Sequence, residues 1–113
     1  MRLAREDHGE VILLKGEGKI DIGNGDVQVR DALRKAAEAK PSAIILDLAK
    51  VNYMDSSGMG ELISAHAALR KRGIELCLTH LNKKIYDLMT LTRMVLVFSI
   101  YDSNEDAIQS LNN

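Results

Sequence analysis

The densest chemistry in this 113-residue chain lies in Asp55-Ser56-Ser57-Gly58-Met59-Gly60, where two hydroxyls follow a carboxylate and two glycines are interleaved behind them. The segment comes shortly after the apolar stretch 43–48 and opens a long helical pattern. A helix start presents unpaired backbone N–H groups and the positive end of the helix dipole, which together stabilise an exposed anion by roughly 0.3–1 kcal/mol. Each glycine in a first helical turn costs about 1 kcal/mol relative to alanine, so the pair answers to something other than helix formation. Two readings stand side by side. In one, a serine is phosphorylated at a terminus that tolerates the product; in the other, Asp55 or Ser56 is an N-cap and the glycines let the helix pack closely on a strand.

Other chemistries fit the residues less well. A serine nucleophile on a Gly-x-Ser-x-Gly elbow is absent, because Met54 and Asp55 stand where the first glycine would be. The three histidines offer no base: His66 is about 15 Å along the helix from Ser56 at 1.5 Å per residue, on a core-facing stripe. His8 is expected in a turn and His80 just after a strand, so no catalytic residue is assigned and the chain is read as a non-enzyme. The histidines lack His-x-x-x-His spacing, and Asp21, Asp26 and Asp47 form no calcium loop, so neither a metal nor a cofactor is expected. Gly16, Gly18, Gly23 and Gly25 match neither Gly-x-Gly-x-x-Gly nor a Walker A loop and read as turns. Asp47 ends an apolar strand without the acidic pair of an aspartyl phospho-acceptor. Met54 and Met59 flank the serines and offer an adaptable contact surface, whereas Met89 and Met94 are expected in the core.

The elements that must position these residues follow from periodicity. Residues 11–14 read as a strand paired with the residues around Leu3 through a turn at Asp7-His8-Gly9, and residues 18–22 alternate as its continuation. Gly23-Asn24-Gly25-Asp26 stops it, with Asp26 expected to cap a helix carrying Val29, Leu33, Ala36 and Ala37. Asp26 with Arg30 and Asp31 with Lys35 are expected as i,i+4 pairs, and the helix ends before Pro41. Residues 43–48 read as a strand buried on both faces, followed by a connection over 49–53. A helix then runs from about Asp55 to Arg72 with Met59, Leu62, Ile63, His66 and Leu69 on one stripe, closed by Gly73. A strand over 74–78 follows, then a helix capped by Asn82 with Ile85, Leu88 and Met89 inward. A last strand is expected over 95–101, and Ser103 opens a final helix with Ala107, Ile108 and Leu111 inward. The order β-β-α-β-α-β-α-β-α predicts one α/β domain over residues 1–113, a mixed sheet of four to five strands packed with about four helices.

Composition narrows the function classes. Fifteen Lys and Arg against sixteen Asp and Glu give a net charge of −1, with no basic stripe for nucleic acid. Four aromatics, Tyr53, Tyr86, Phe98 and Tyr101, supply no stacking platform for single strands. The lone Cys77 excludes an intrachain disulfide and reads as a buried, inert thiol. No apolar run is long enough to span a membrane and the first residues form no export signal, so a cytoplasmic protein is expected.

At Asp55-Ser56-Ser57-Gly58-Met59-Gly60, preceded by Ile44-Ile45-Leu46-Asp47-Leu48 and Val51-Asn52-Tyr53-Met54, the sequence resembles the STAS-domain family, and within it the bacterial anti-sigma factor antagonists. Gly18-Lys19-Ile20-Asp21 is similar to the family's early Gly-x-x-Asp strand, and the likeness covers essentially the whole chain. The connection at residues 22–26 is more glycine-rich than the family's usual one. The resemblance implies a switch: the unphosphorylated antagonist binds an anti-sigma factor that is also an ATP-dependent serine kinase, a serine at this helix start is phosphorylated, and a metal-dependent serine phosphatase resets it. Carried over by motif, Ser56 is the phospho-acceptor, Asp21 and Asp55 are acidic neighbours, and Ser57, Gly58 and Met59 contact the partner. The family also implies an alternative role, a docking subunit in stressosome-type or lipid-transport complexes.

Overall fold

The computed structural model describes residues 1–112. Five strands, β1 (Arg2–His8), β2 (Val11–Ile20), β3 (Ala43–Met54), β4 (Glu75–Thr79) and β5 (Ser99–Tyr101), form one sheet in the order β1-β2-β3-β4-β5. β1 runs antiparallel to β2, and all later neighbours are parallel. Four helices connect or close them: α1 (Gly25–Ala37), α2 (Ser56–Lys71), α3 (Lys83–Leu91) and α4 (Asn104–Leu111). The element order is the expected one. No helix is long and apolar enough to cross a membrane among the described residues.

Side chains alternate across the strands and so sort the core into two layers. Ile12, Leu14, Ile44, Leu46, Leu76 and Leu78 face α1 and α2 and meet Val29, Leu33, Leu62 and Leu69. Val11, Leu13, Ala43, Ile45 and Cys77 face α4 and meet Ala107, with Ile108 and Leu111 at the margin. Full burial is worth about 1.5–3 kcal/mol for each large aliphatic side chain, which makes this aliphatic sandwich the scaffold for the strand ends above it. The first turn of α4 is tied down by polar bonds: Asn104 Nδ2 donates to the buried Asp47 carboxylate at 2.9 Å, and Thr79 Oγ1 donates to Asn104 Oδ1.

Burial also settles the cysteine. Removal from water pushes the Cys77 thiol up to about 12, helped by the Glu75 carboxylate that accepts its S–H. The thiol therefore stays protonated at neutral pH. Labelling by a thiol-specific disulfide reagent is expected to proceed at the rate of unfolding and to accelerate with urea; rapid labelling of the native protein would contradict this burial.

Six local expectations are corrected. Gly16 and Gly18, read as turns, lie inside β2, and His8, expected in a turn, is the last residue of β1. The connection expected over 49–53 is strand: β3 continues to Met54, but irregular register against β2 at Lys15/Glu17 and Gly18/Lys19 breaks the two-residue alternation. The last strand contracts to Ser99–Tyr101, because Arg93 takes a left-handed conformation (φ 61°) and Met94–Leu96 wind into a 3-10 turn. Asp26 is not the cap of α1. The Asp21 carboxylate accepts the Gly25 N–H at 3.3 Å and its carbonyl accepts Asp26 N–H at 3.1 Å, while Asp26 bonds its neighbour Val27. Finally, neither expected i,i+4 ion pair forms on α1; Arg30 reaches across to Glu61 of α2 at 3.8 Å.

Candidate functional site

β2 and β3 end side by side, with Ile20 paired to Met54, and the chain turns from Met54 straight into α2. Asp55 makes the junction. Its extended backbone (φ −100°, ψ −175°) is that of an N-cap, and its two carboxylate oxygens serve two segments. One accepts the Gly58 N–H at 2.9 Å inside the helix; the other accepts the Ile22 N–H at 3.0 Å in the loop that follows β2. A single side chain thus fastens the Ile22 loop to the mouth of the helix, and Asp21, one residue earlier, holds the start of α1.

These bonds keep the Asp55 carboxyl ionised. The Gly58 N–H is the main cause of a pKa below the ordinary aspartate value; burial opposes it, and the N–H groups of Ile22, Ser57 and Asp55 itself add to the lowering. A depressed carboxyl pKa contributes stability that is complete above the unfolded value and is lost as pH falls through the folded one. The stability difference between the wild type and Asp55→Asn in urea unfolding is therefore expected to be constant near neutrality and to shrink below about pH 4. A difference that grows toward acid would reverse the sign.

The two glycines of the motif have different reasons. A Cβ at Gly58 would strike the carbonyl oxygen and side chain of Ile20, so α2 can approach the end of β2 only with glycine there. Gly25 abuts the Lys19 carbonyl in the same way. Gly60 faces open space. Close packing thus accounts for Gly58 but leaves Gly60 without a packing reason.

Around this mouth the residues divide by exposure. Ser56 stands exposed at the first helical position, with no side-chain hydrogen bond among the described residues, and Ser57 is half-buried. Gly58 is buried, and Met59 is 5% exposed and Met54 7%, so both methionines belong to the core and their thioethers do not line a contact surface. Met89 is buried as expected, and Met94 packs at the core's edge. The large apolar side chains that do reach solvent are Ile22 (73% exposed) and Tyr53 (49%), with the Lys19 ammonium 6.0 Å from the Tyr53 ring centroid. Sequence reading overlooked both; the available signal was a bulky Ile beside the turn-forming Gly23-Asn24-Gly25. The histidines stand apart from the serines in their bonding. His66 lies edge-on to Phe98 at 5.4 Å, its buried Nδ1 without a partner among the described residues, and His8 bonds Glu6 on β1.

A sequence model of the family described as the STAS domain matches residues 2–107, which takes in the sheet, the helix mouth and the first half of the final helix. The chain belongs to the STAS domain family. This STAS domain is 24% identical over 112 residues to the anti-sigma F factor antagonist of Paenibacillus polymyxa, spanning 98% of this chain and 95% of that protein. It is 31% identical over 86 residues to the anti-sigma-B factor antagonist of Listeria monocytogenes, spanning 76% and 72%. Its fold is shared with the anti-sigma factor antagonist SpoIIAA in its unphosphorylated form, at a TM-score of 0.76 and 18% identity over 99% of each chain. The phosphorylated form of SpoIIAA from Bacillus superposes at 0.73, with 18% identity over 97% of this chain and 99% of that one.

Proposed function

We propose that this STAS domain is an anti-sigma factor antagonist, a binding switch rather than a catalyst, controlled by phosphorylation of Ser56. The observation that carries the reading is the exposed Ser56 hydroxyl at the mouth of a capped 16-residue helix, beside a Ser57 that is half-buried. The names of its sequence relatives supply the partner class, an anti-sigma factor. That partner acts as an ATP-dependent serine kinase, and a metal-dependent serine phosphatase reverses the modification.

The physics of the switch follows from its place. A phosphate adds about −1.5 to −2 charges at neutral pH. Backbone N–H groups and the dipole of α2 accommodate it, so the fold survives. The partner surface consists of Ser57, Ile22, Tyr53 and the carboxylates of Asp21 and Asp55, while Gly58 and Met59 act by seating the helix mouth at the correct height. Once a partner covers this surface, the phosphate and the ionised Asp55 lie together out of water, and like charges in an interface cost several kcal/mol. Binding is lost while the domain stays intact.

The test is reconstitution. The unphosphorylated protein is expected to displace a sigma factor from a kinase-type anti-sigma factor and to restore sigma-dependent transcription in a purified system. Prior incubation of the protein with kinase and ATP should abolish that restoration. A protein that neither binds the anti-sigma factor nor restores transcription would refute the assignment.

A further inference from the structure

A second surface lies well away from Ser56. Residues 62–98 carry six lysines and arginines against two acids, although the whole chain is near neutral. Both acids are engaged, Asp87 with Lys83 at 2.9 Å and Glu75 with the Cys77 thiol. Arg70, Lys71, Lys84 and Arg93 are exposed and form no ion pair among the described residues. The same stretch holds the two most exposed large apolar side chains among the described residues, Leu91 (84%) at the end of α3 and Leu96 (81%) on the 3-10 turn, with the less exposed Val97 (40%) next in the chain. The left-handed Arg93 folds that turn back on α3 and so creates the ridge. Beside it opens a cavity of about 350 Å³ lined by His66, Arg70, Ile74, Glu75, Val97 and Ser99, the Glu75 carboxylate being the one that accepts the Cys77 S–H.

We infer that this ridge and cavity form a second docking surface, for an acidic amphipathic segment of a partner protein. Apolar anchors of the segment pack on Leu91, Leu96 and Val97 and enter the cavity, and its carboxylates meet Arg70, Lys71 and Arg93. Charge complementarity decides the occupant. A second copy of this chain offers acids beside large exposed apolar side chains at Asp21 and Asp55 with Ile22 and Tyr53, but that surface is the one assigned to the anti-sigma factor. A flat lipid surface does not fill a cavity of this size. Ser56 and Arg70 are about 21 Å apart along α2 at 1.5 Å per residue, so this surface stays available whatever the state of the serine.

The probe is a synthetic helical peptide of leucines at i, i+3, i+4 and i+7 on a glutamate background, titrated into the isotopically labelled full chain by NMR. Saturable amide shifts are expected at residues 70–72 and 91–97 and not at 55–58, with affinity falling at higher salt. Leu96→Ser and Lys71→Glu, both at exposed positions, should each weaken binding about tenfold or more, and Ser56→Asp should leave it unchanged. Equal binding of the lysine-background peptide, shifts centred on the start of α2, self-association through the ridge, or binding to anionic vesicles in place of the peptide would each overturn the inference.

Discussion

Ser56→Asp is expected to bind the anti-sigma factor roughly 100-fold more weakly than the wild type, a difference of about 2.7 kcal/mol. The loss should come from the interface and not from the fold. An acid in the first turn of α2 complements the helix dipole, so the thermal midpoint of the variant should match or slightly exceed that of the wild type. The carboxylate nevertheless adjoins Asp55, whose hydrogen bonds hold it ionised, and a covering partner must desolvate both. Ser56→Ala removes the hydroxyl without adding charge and should bind like the wild type while resisting modification. Calorimetric titration of the three proteins against one anti-sigma factor separates the cases. Equal affinities for all three would show that charge at this position does not govern binding.

The second large effect concerns how the mouth is held. Gly58→Ala should destabilise the domain by about 1–3 kcal/mol, because the new methyl meets the Ile20 carbonyl and side chain and backbone cannot step aside cheaply. The start of α2 would have to lift off the end of β2, loosening the Asp55 bond to the Ile22 loop, so affinity for the partner should fall as well. Gly60→Ala should do the reverse. It meets open space on a helix, and replacing glycine there should stabilise by about 0.5–1 kcal/mol. Urea midpoints of the two single variants give the comparison. If both lose stability, close approach at Gly58 is not what distinguishes them.

Much of this arrangement was legible in the sequence because it rests on local rules. Asp55, Asn82 and Ser103 each cap the helix that their position announces, with carboxylate, amide and hydroxyl oxygens accepting from Gly58, Ile85 and Asp106. The apolar stripe of α2 and the doubly buried start of β3 could be read from spacing alone. What escaped depends on contacts between distant segments. The far half of β3 buries Val51 and Met54 three residues apart, a spacing that irregular pairing with β2 imposes and that no two-residue pattern reveals. The apolar run from Met94 to Phe98 suits a strand and a 3-10 turn equally; the left-handed Arg93 decides between them.

At the site itself, the motif located the serines but not the company they keep. Asp21 could be identified as an acidic neighbour, yet its capping of α1 depends on how the glycine-rich loop folds back. The two methionines suit a binding surface by type, but both side chains turn inward and join the core. Ile22 and Tyr53 take their place outside, on segments joined to the helix mouth through Asp55, the packing of Gly58 on Ile20 and the pairing of β2 with β3.

The most direct measurement is the position of the phosphate. Incubation with a kinase-type anti-sigma factor and ATP, followed by intact mass and peptide mapping, should give a single added phosphoryl group on Ser56. Phosphate on Ser57 alone, or none from a partner whose kinase activity is verified on another substrate, would contradict the assignment of the exposed hydroxyl as the switch.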